Sequence, residues 1–340
     1  MSDVEFGLDT FGGVTTDEHG RQVSHPQVIR DLIDDAVVAD ELGLDFFGVG
    51  EHHRPDFAVS SPEMVLAAIA GKTSTIRLGS AVTVLSSDDP VRVVERFATL
   101  DAVSDGRAEI VAGRGSFIES FPLFGYDLSD YEVLFEEKLD LLSKLIEQEP
   151  VTWSGTTRAA LTDQRVFPTT GQRLPVWVGV GGTPESVVRT ARYGFNLFLA
   201  IIGGDPARFA PYIDLFDRAQ DEFGVPRAPV AVHSPGLVAP TDEQARETVY
   251  DGWLAFRTRL GAERGWGPPR PGEFEDEIEH GSLYVGSPQT VATKIARTLR
   301  ALPVNRFDFK YDQPVPHAAQ HRSVQLYGEQ VVPMVKDMLA

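Results

Sequence analysis

Glu51, His52, His53 and Arg54 follow one another directly after the apolar run Phe46–Gly50. Four ionisable side chains at the exit of a buried strand could ligate a metal, hold a phosphate, move a proton or pair among themselves. Successive residues of an extended chain point to opposite sides, so His52 and His53 do not readily share one ion. The helical spacing of metal-binding histidines is missing there, and the chain has no cysteine. His317 and His321 do stand four apart on a predicted helix and read as a surface histidine pair, so no metal is expected. Pairing of Glu51 with Arg54 and a polar active-site role for His52 both stay open at this point.

Two further stretches carry anion chemistry. In AGRGSF, Arg114 stands between Gly113 and Gly115 and is followed by Ser116. Glycines let a backbone approach a ligand, and a guanidinium pairs bidentately with phosphate or carboxylate. In VGVGGTPES, Val180, Gly181 and Gly182 lead into Thr183 and Pro184, which mark a helix start. Free N–H groups at such a start attract anions, although the same residues also make ordinary turns. The spacing is not that of a dinucleotide fingerprint. The apolar runs SAVTV, with Ala81 and Val82, and FLAII, with Ala200 and Ile201 ahead of Gly203, would supply a floor. The set suits a planar cofactor with one phosphate end, FMN or a deazaflavin rather than NAD.

These residues need a scaffold that gathers strand ends. A polar amphipathic segment closed by a glycine and followed by a short apolar run recurs at Gly43, Gly106 and Gly194. Strand candidates are Val4–Leu8, Phe46–Val49, Ile76–Val84, Ala108–Val111, Val176–Val180, Phe195–Ile202, Val230–Val238 and Arg306–Lys310. Each precedes a helical pattern: Val28–Leu42, Glu63–Lys72, Val91–Ser104, Leu134–Glu147, Glu185–Tyr193, Pro206–Phe223, Glu243–Leu260 and Ala319–Met338. Eight alternating units predict an α/β fold, a (β/α)8 TIM barrel with active-site residues at the C-terminal strand ends. Residues 1–340 are read as one barrel domain with insertions at about 149–175 and 261–289. Both insertions lack periodicity, and a further helix near Val291–Leu302 follows the second. Residues 116–132 and 261–289 are expected to shape a substrate pocket.

Composition narrows the partners. A net charge of −19 excludes a chain that binds phosphate backbones through its overall field. No apolar run approaches the roughly 20 residues that cross a bilayer. MSDVEFGLDT lacks a basic region and an apolar core, so no secretory signal is expected, and with no cysteine the chain is read as cytoplasmic.

GVGEHHRPDF, LGSAVTVLSSDDPVRVVERFATLDAVSDGRAEIVAGRGS and VWVGVGGTPESV together resemble the bacterial luciferase-like, flavin-dependent monooxygenase family. The resemblance spans the second to fifth strands and fits the ends of the chain loosely. It implies reduced FMN at the barrel mouth, with a deazaflavin as the alternative cofactor. It implies that His52, beside Glu51, faces the flavin and assists oxygen chemistry, and that Arg114 meets the flavin phosphate. It implies a non-prolyl cis peptide at Ala81–Val82. The partners implied are a small organic substrate, a separate reductase supplying reduced FMN, and a second copy of the chain paired through Glu63–Lys72 and Val91–Leu100. Gly181 and Gly182 replace an acidic–hydroxyl pair of the luciferases, so substrate and light emission do not carry over. A deazaflavin-dependent hydride transfer and a non-catalytic FMN carrier are the competing readings.

Overall fold

The computed structural model describes residues 4–17, 19–115 and 117–340. Its strands in chain order are β1 (Glu5–Thr10), β2 (Phe46–Val49), β3 (Arg77–Ser80), β4 (Thr83–Val84), β5 (Ala108–Gly113), β6 (Val151–Trp153), β7 (Leu161–Gln164), β8 (Val176–Val180), β9 (Asn196–Ala200), β10 (Val230–Val238), β11 (Tyr284–Gly286) and β12 (Arg306–Lys310). The parallel order β1-β2-β3-β5-β8-β9-β10-β12 returns to β1, which closes the barrel. The helices are α1 (His25–Glu41), α2 (Pro62–Ala70), α3 (Pro90–Ser104), α4 (Ser120–Phe124), α5 (Tyr131–Leu145), α6 (Pro184–Arg192), α7 (Ala210–Phe223), α8 (Asp242–Arg264), α9 (Glu273–Glu279), α10 (Pro288–Ala301), α11 (His317–Leu326) and α12 (Val332–Leu339).

Local chemistry sets most boundaries. Proline occupies the first turn of α2, α3, α6 and α10, where its missing N–H costs nothing. Gly43, Gly106 and Gly194 take positive φ beyond the ends of α1, α3 and α6, the left-handed stop that their spacing predicts. The predicted strand Ile76–Val84 is two pieces, interrupted at the cis peptide Ala81–Val82. The last predicted helix is continuous but passes through a π turn at Tyr327–Val331 ahead of Pro333, which has no N–H to donate back.

The insertions hold more structure than their composition suggests. Residues 149–175 form the antiparallel hairpin β6–β7, anchored where Trp153 Nε1 donates to Asp140 Oδ2 at 2.8 Å. In 261–289, α8 continues to Arg264, α9 follows, and β11 adds a parallel partner to the long end of β10. These segments read as irregular because the hairpin is short and polar and α9 is strongly acidic.

Strand alternation separates an outer core from an inner one, and a further apolar cluster packs β10 and β11 against α8 and α9. Leu8, Phe47, Val178 and Leu199 pack outward beneath the helices, with Leu32, Ile69, Phe97 and Leu139. Phe46, Val111, Trp177, Phe198 and Ala231 fill the barrel itself. A buried ion cluster lies among them. The Arg306 guanidinium sits 3.9 Å from the Phe46 ring centroid and 4.2 Å from that of Trp177, and donates to Glu109 Oε2 at 2.7 Å. Trp177 Nε1 donates to the same oxygen at 2.8 Å, and Arg77 Nη1 lies 3.0 Å from Glu109 Oε1. A flat guanidinium stacks and forks at once, which lets a cation sit fully buried here. Gly7 leaves room for the buried Asp308 carboxylate beside this cluster: a Cβ there would lie 2.2 Å from Asp308 Oδ1.

Candidate active site

The loop after β2 is pinned by backbone bonds from Gly50 N to Thr10 O, Glu51 N to Val82 O and His52 N to Val59 O. Glu51 is buried. Its Oε2 accepts from Val84 N at 2.8 Å and its Oε1 from His53 Nε2 at 2.8 Å, so both neighbours of His52 turn away from the mouth. His52 packs between aromatic rings: Phe57 at 4.2 Å and 23°, Phe11 at 4.9 Å and Phe117 at 5.5 Å. Burial pushes its pKa down to about 4, outweighing the pull of Asp312. His52 is therefore a neutral imidazole at pH 7 and not the near-neutral titrating group that its unperturbed pKa suggests.

Arg54 does more than brace its own loop. Its guanidinium donates to Asp56, to Glu119 at 2.8 Å and to Glu263 at 2.8 Å, while lying 4.4 Å over the Phe117 ring. Arg259 of α8 donates to Asp56 Oδ2 at 2.8 Å. The C-terminal turns of α8 are thereby tied across the entrance beside His52.

The interior of the mouth is shaped by Ala81–Val82. Val82 occupies the space that side chains at Gly113 and Gly179 would need: a Cβ at either position would lie 2.4 or 3.1 Å from it, respectively. Beside it lies a pair that sequence reasoning missed. His233 Nδ1 is 2.5 Å from Asp9 Oδ2, both residues are buried, and the His233 ring stacks on Phe11 at 5.8 Å and 17°. Asp9 Oδ1 is buried without a hydrogen-bond partner among the described residues. Lys310 Nζ meets Asp312 Oδ1 at 2.5 Å, and Asp312 Oδ2 accepts from Phe11 N at 2.8 Å, which fixes the ring between the two histidines. An ionisable residue inside each of the apolar runs EFGLDT and VAVHSPGLV was the available signal.

The anion end is less simple than its sequence suggests. Arg114 is half-buried and already pairs with Glu132 at 2.5 Å, beside the Tyr131 ring. The same Glu132 faces Arg189 of α6 at 3.4 Å. Gly115 has φ +78°, and its carbonyl accepts from the Tyr131 hydroxyl. Ser116 lies outside the described residues. Gly181 borders open space, Gly182 has φ +110°, and Thr183 is the N-cap residue of α6, its hydroxyl donating to Ser186 Oγ at 2.7 Å. Ala200 is half-buried at the end of β9, and Gly203 opens onto free space. The side chains of Val180, on β9's neighbour β8, and of Ile201, just past β9, pack into the outer core.

The family model described as luciferase-like monooxygenase matches residues 10–306. The chain is 31% identical over 319 residues to 4-hydroxyprotoasukamycin monooxygenase of Streptomyces nodosus subsp. asukaensis, covering 86% of this chain and 83% of that protein. It is 28% identical over 343 residues to limonene 1,2-monooxygenase of Rhodococcus erythropolis, covering 97% and 87%. The match to a 32% identical protein of Sinorhizobium fredii spans only 53% of that relative's length. Among solved structures, the oxygenating constituent of 3,6-diketocamphane monooxygenase from Pseudomonas putida, in complex with FMN, superposes with a TM-score of 0.78 at 20% identity over 98% of this chain and 99% of that one. The coenzyme F420 dependent tetrahydromethanopterin reductase of Methanopyrus kandleri superposes with a TM-score of 0.73 at 19% identity, with the same coverage.

Proposed function

The chain belongs to the luciferase-like monooxygenase family, and from that premise we propose that it uses reduced FMN and molecular oxygen to oxygenate a small, largely apolar organic substrate. The observation that carries this reading is His52: a neutral imidazole in an aromatic box, at the mouth of a barrel whose neighbouring lumen is lined by Val82 and glycines. When bound, reduced flavin would supply the two electrons needed for one oxygen atom to pass to the substrate and the other to leave as water. The residues fit such a group. Gly181 and Gly203 border open space, the half-buried Val82 and Ala200 offer an apolar surface, and the buried Ala81 backs it. Arg114, Gly115 and the backbone of Gly181, Gly182 and Thr183 would hold the phosphate. Glu51 positions the loop, and the backbone of Val180 and Ile201 borders the mouth. His52 presents a ring nitrogen to the reacting centre as hydrogen-bond donor or acceptor. Phe11, Phe57 and Phe117 exclude water around it.

A separate reductase would deliver the reduced flavin, and residues 1–340 are read as one cytoplasmic barrel that pairs with a second copy. No helix among the described residues is long and apolar enough to cross a membrane. The names of the relatives suggest a terpene and cyclic-ketone panel. The test is anaerobic titration with reduced FMN, followed by oxygen admission with that panel and labelled oxygen. Substrate-dependent label in the product supports the reading. Tight binding of a deazaflavin with no binding of FMN would replace it with hydride transfer. FMN binding without turnover on any member would favour a carrier.

A further inference from the structure

The histidines expected as a surface pair face a buried carboxylate instead. Asp35 of α1 is 1% exposed, and His317 and His321 of α11 converge on it from the opposite side. His317 Nε2 lies 3.2 Å from Asp35 Oδ1, and His321 Nδ1 lies 2.7 Å from the same oxygen. We propose that Asp35, His317 and His321 form a zinc site that fastens α1 to α11 behind the mouth of the barrel.

Three observations support this. The first is proximity: one ligand atom from each residue can be chosen so that all three lie within 4.8 Å of one another. Zinc takes nitrogen and oxygen donors at about 2.0–2.2 Å, so a small outward shift of the three groups would admit the ion. The four-residue spacing puts both imidazoles on one face of α11, and they meet a carboxylate from another helix, so the set closes only in the folded chain.

The second observation is the outer ring of partners. Ligating histidines need their other nitrogen oriented. His317 Nδ1 faces the Asp31 carboxylate, with Oδ2 at 3.8 Å. Tyr311 lines the cavity beside Asp35. The third observation is charge and space. No Arg or Lys pairs with Asp35 among the described residues, and two imidazoles share its single negative charge. A small cavity lined by Thr10, Asp31, Asp35, Tyr311, Asp312 and His317 adjoins the set, which gives a fourth, water ligand a place. Two imidazoles and one carboxylate with an open position suit zinc better than the hard cations calcium or magnesium. Asp312 in the cavity wall also holds Phe11 N, so the ion would stiffen the loop that packs against His52.

The test uses the full chain stripped of metal with a chelator. Zinc alone is titrated by calorimetry, and cobalt is added as a spectroscopic stand-in. The proposal expects one saturable zinc equivalent, a tetrahedral cobalt spectrum and a rise in melting temperature with zinc. Asp31→Asn, at an outer partner, should weaken zinc by roughly 10–100-fold. His317→Gln and His321→Gln should each weaken it more, and Asp35→Asn should abolish the cobalt spectrum. No saturable binding would overturn the proposal, as would unchanged affinity in the His317→Gln/His321→Gln pair, which would place zinc on other histidines. Circular dichroism checks that each variant folds. If the double variant does not, Asp35→Asn decides alone: retained tetrahedral cobalt refutes the site and its loss supports it.

Discussion

His52 is the residue on which the chemistry turns. Its ring is wedged against Phe57 and Phe11, and its two neighbours Glu51 and His53 are bonded to each other. Replacing it with alanine should lower substrate-dependent turnover by roughly 10²–10⁴-fold, the usual worth of a positioned acid or base, and leave FMN affinity nearly unchanged. Full turnover in His52→Ala would make the histidine structural. Its depressed pKa also has a stability consequence. The unfolded chain takes up the proton near 6.5 and the folded chain only near 4. The stability tied to neutral His52 is therefore complete above pH 6.5 and drains away as pH falls toward 4. Urea unfolding of wild type and His52→Gln across that window should show a steeper loss in wild type. At the anion end, Arg114→Ala should weaken FMN binding by about 1.5–3 kcal/mol, the range for a hydrogen bond to a charged group. Glu132 now occupies that guanidinium, so Glu132→Gln should tighten binding. A flavin titration that moves both variants the same way would refute the phosphate placement.

At the scale of elements, ion pairs tie the end of α8 to the β2 loop, where it would act as a lid. Arg54 links the β2 loop, the segment before α4 and α8, and Arg259 adds a second tie at Asp56. Glu119 and Glu263 are partly exposed, so each pair is worth only ~0.2–1 kcal/mol and is screened by salt. Arg54→Gln should therefore barely change the melting temperature, yet raise the substrate KM several-fold by loosening the lid. Glu263→Gln should do the same more weakly, because Arg54 keeps Asp56 and Glu119. Added salt should raise the wild-type KM and leave Arg54→Gln flat. An Arg54→Gln enzyme with wild-type KM and salt response would show that the latch does not control entry.

At the scale of the molecule, an apolar groove lies on the flank of the closed barrel. Ile29 and Ile33 of α1 and Met64, Val65 and Ala68 of α2 line it, and Met64 is 73% exposed. An exposed apolar strip on a chain of net charge −19 is unusual enough to expect cover. Pairing of two copies through α2 and α3 would supply it. Light scattering at micromolar concentration should give twice the chain mass, and Met64→Lys should shift it toward the monomer. A monomer mass for the wild type would sink this expectation.

The barrel was legible in the sequence because its signals are local. Apolar runs of strand length, prolines at helix starts and glycines at Gly43, Gly106 and Gly194 act over a few residues, and each does so in the structure. The exit of β2 was legible for the same reason, since four ionisable residues adjoin an apolar run. The cis bond at Ala81–Val82 came from family resemblance, not from any periodicity. What the sequence could not reveal are pairings made by closure. Asp9 and His233 are 224 residues apart and meet because β1 and β10 both flank β12. Arg54 meets Glu263 across 209 residues, and Arg306 meets Glu109 across 197. Asp35 reads as one more charge on an amphipathic helix until α11 returns to cover it. Strand register and helix packing decide these contacts. They follow from the whole closed sheet, so neighbouring residues in the chain carry no trace of them.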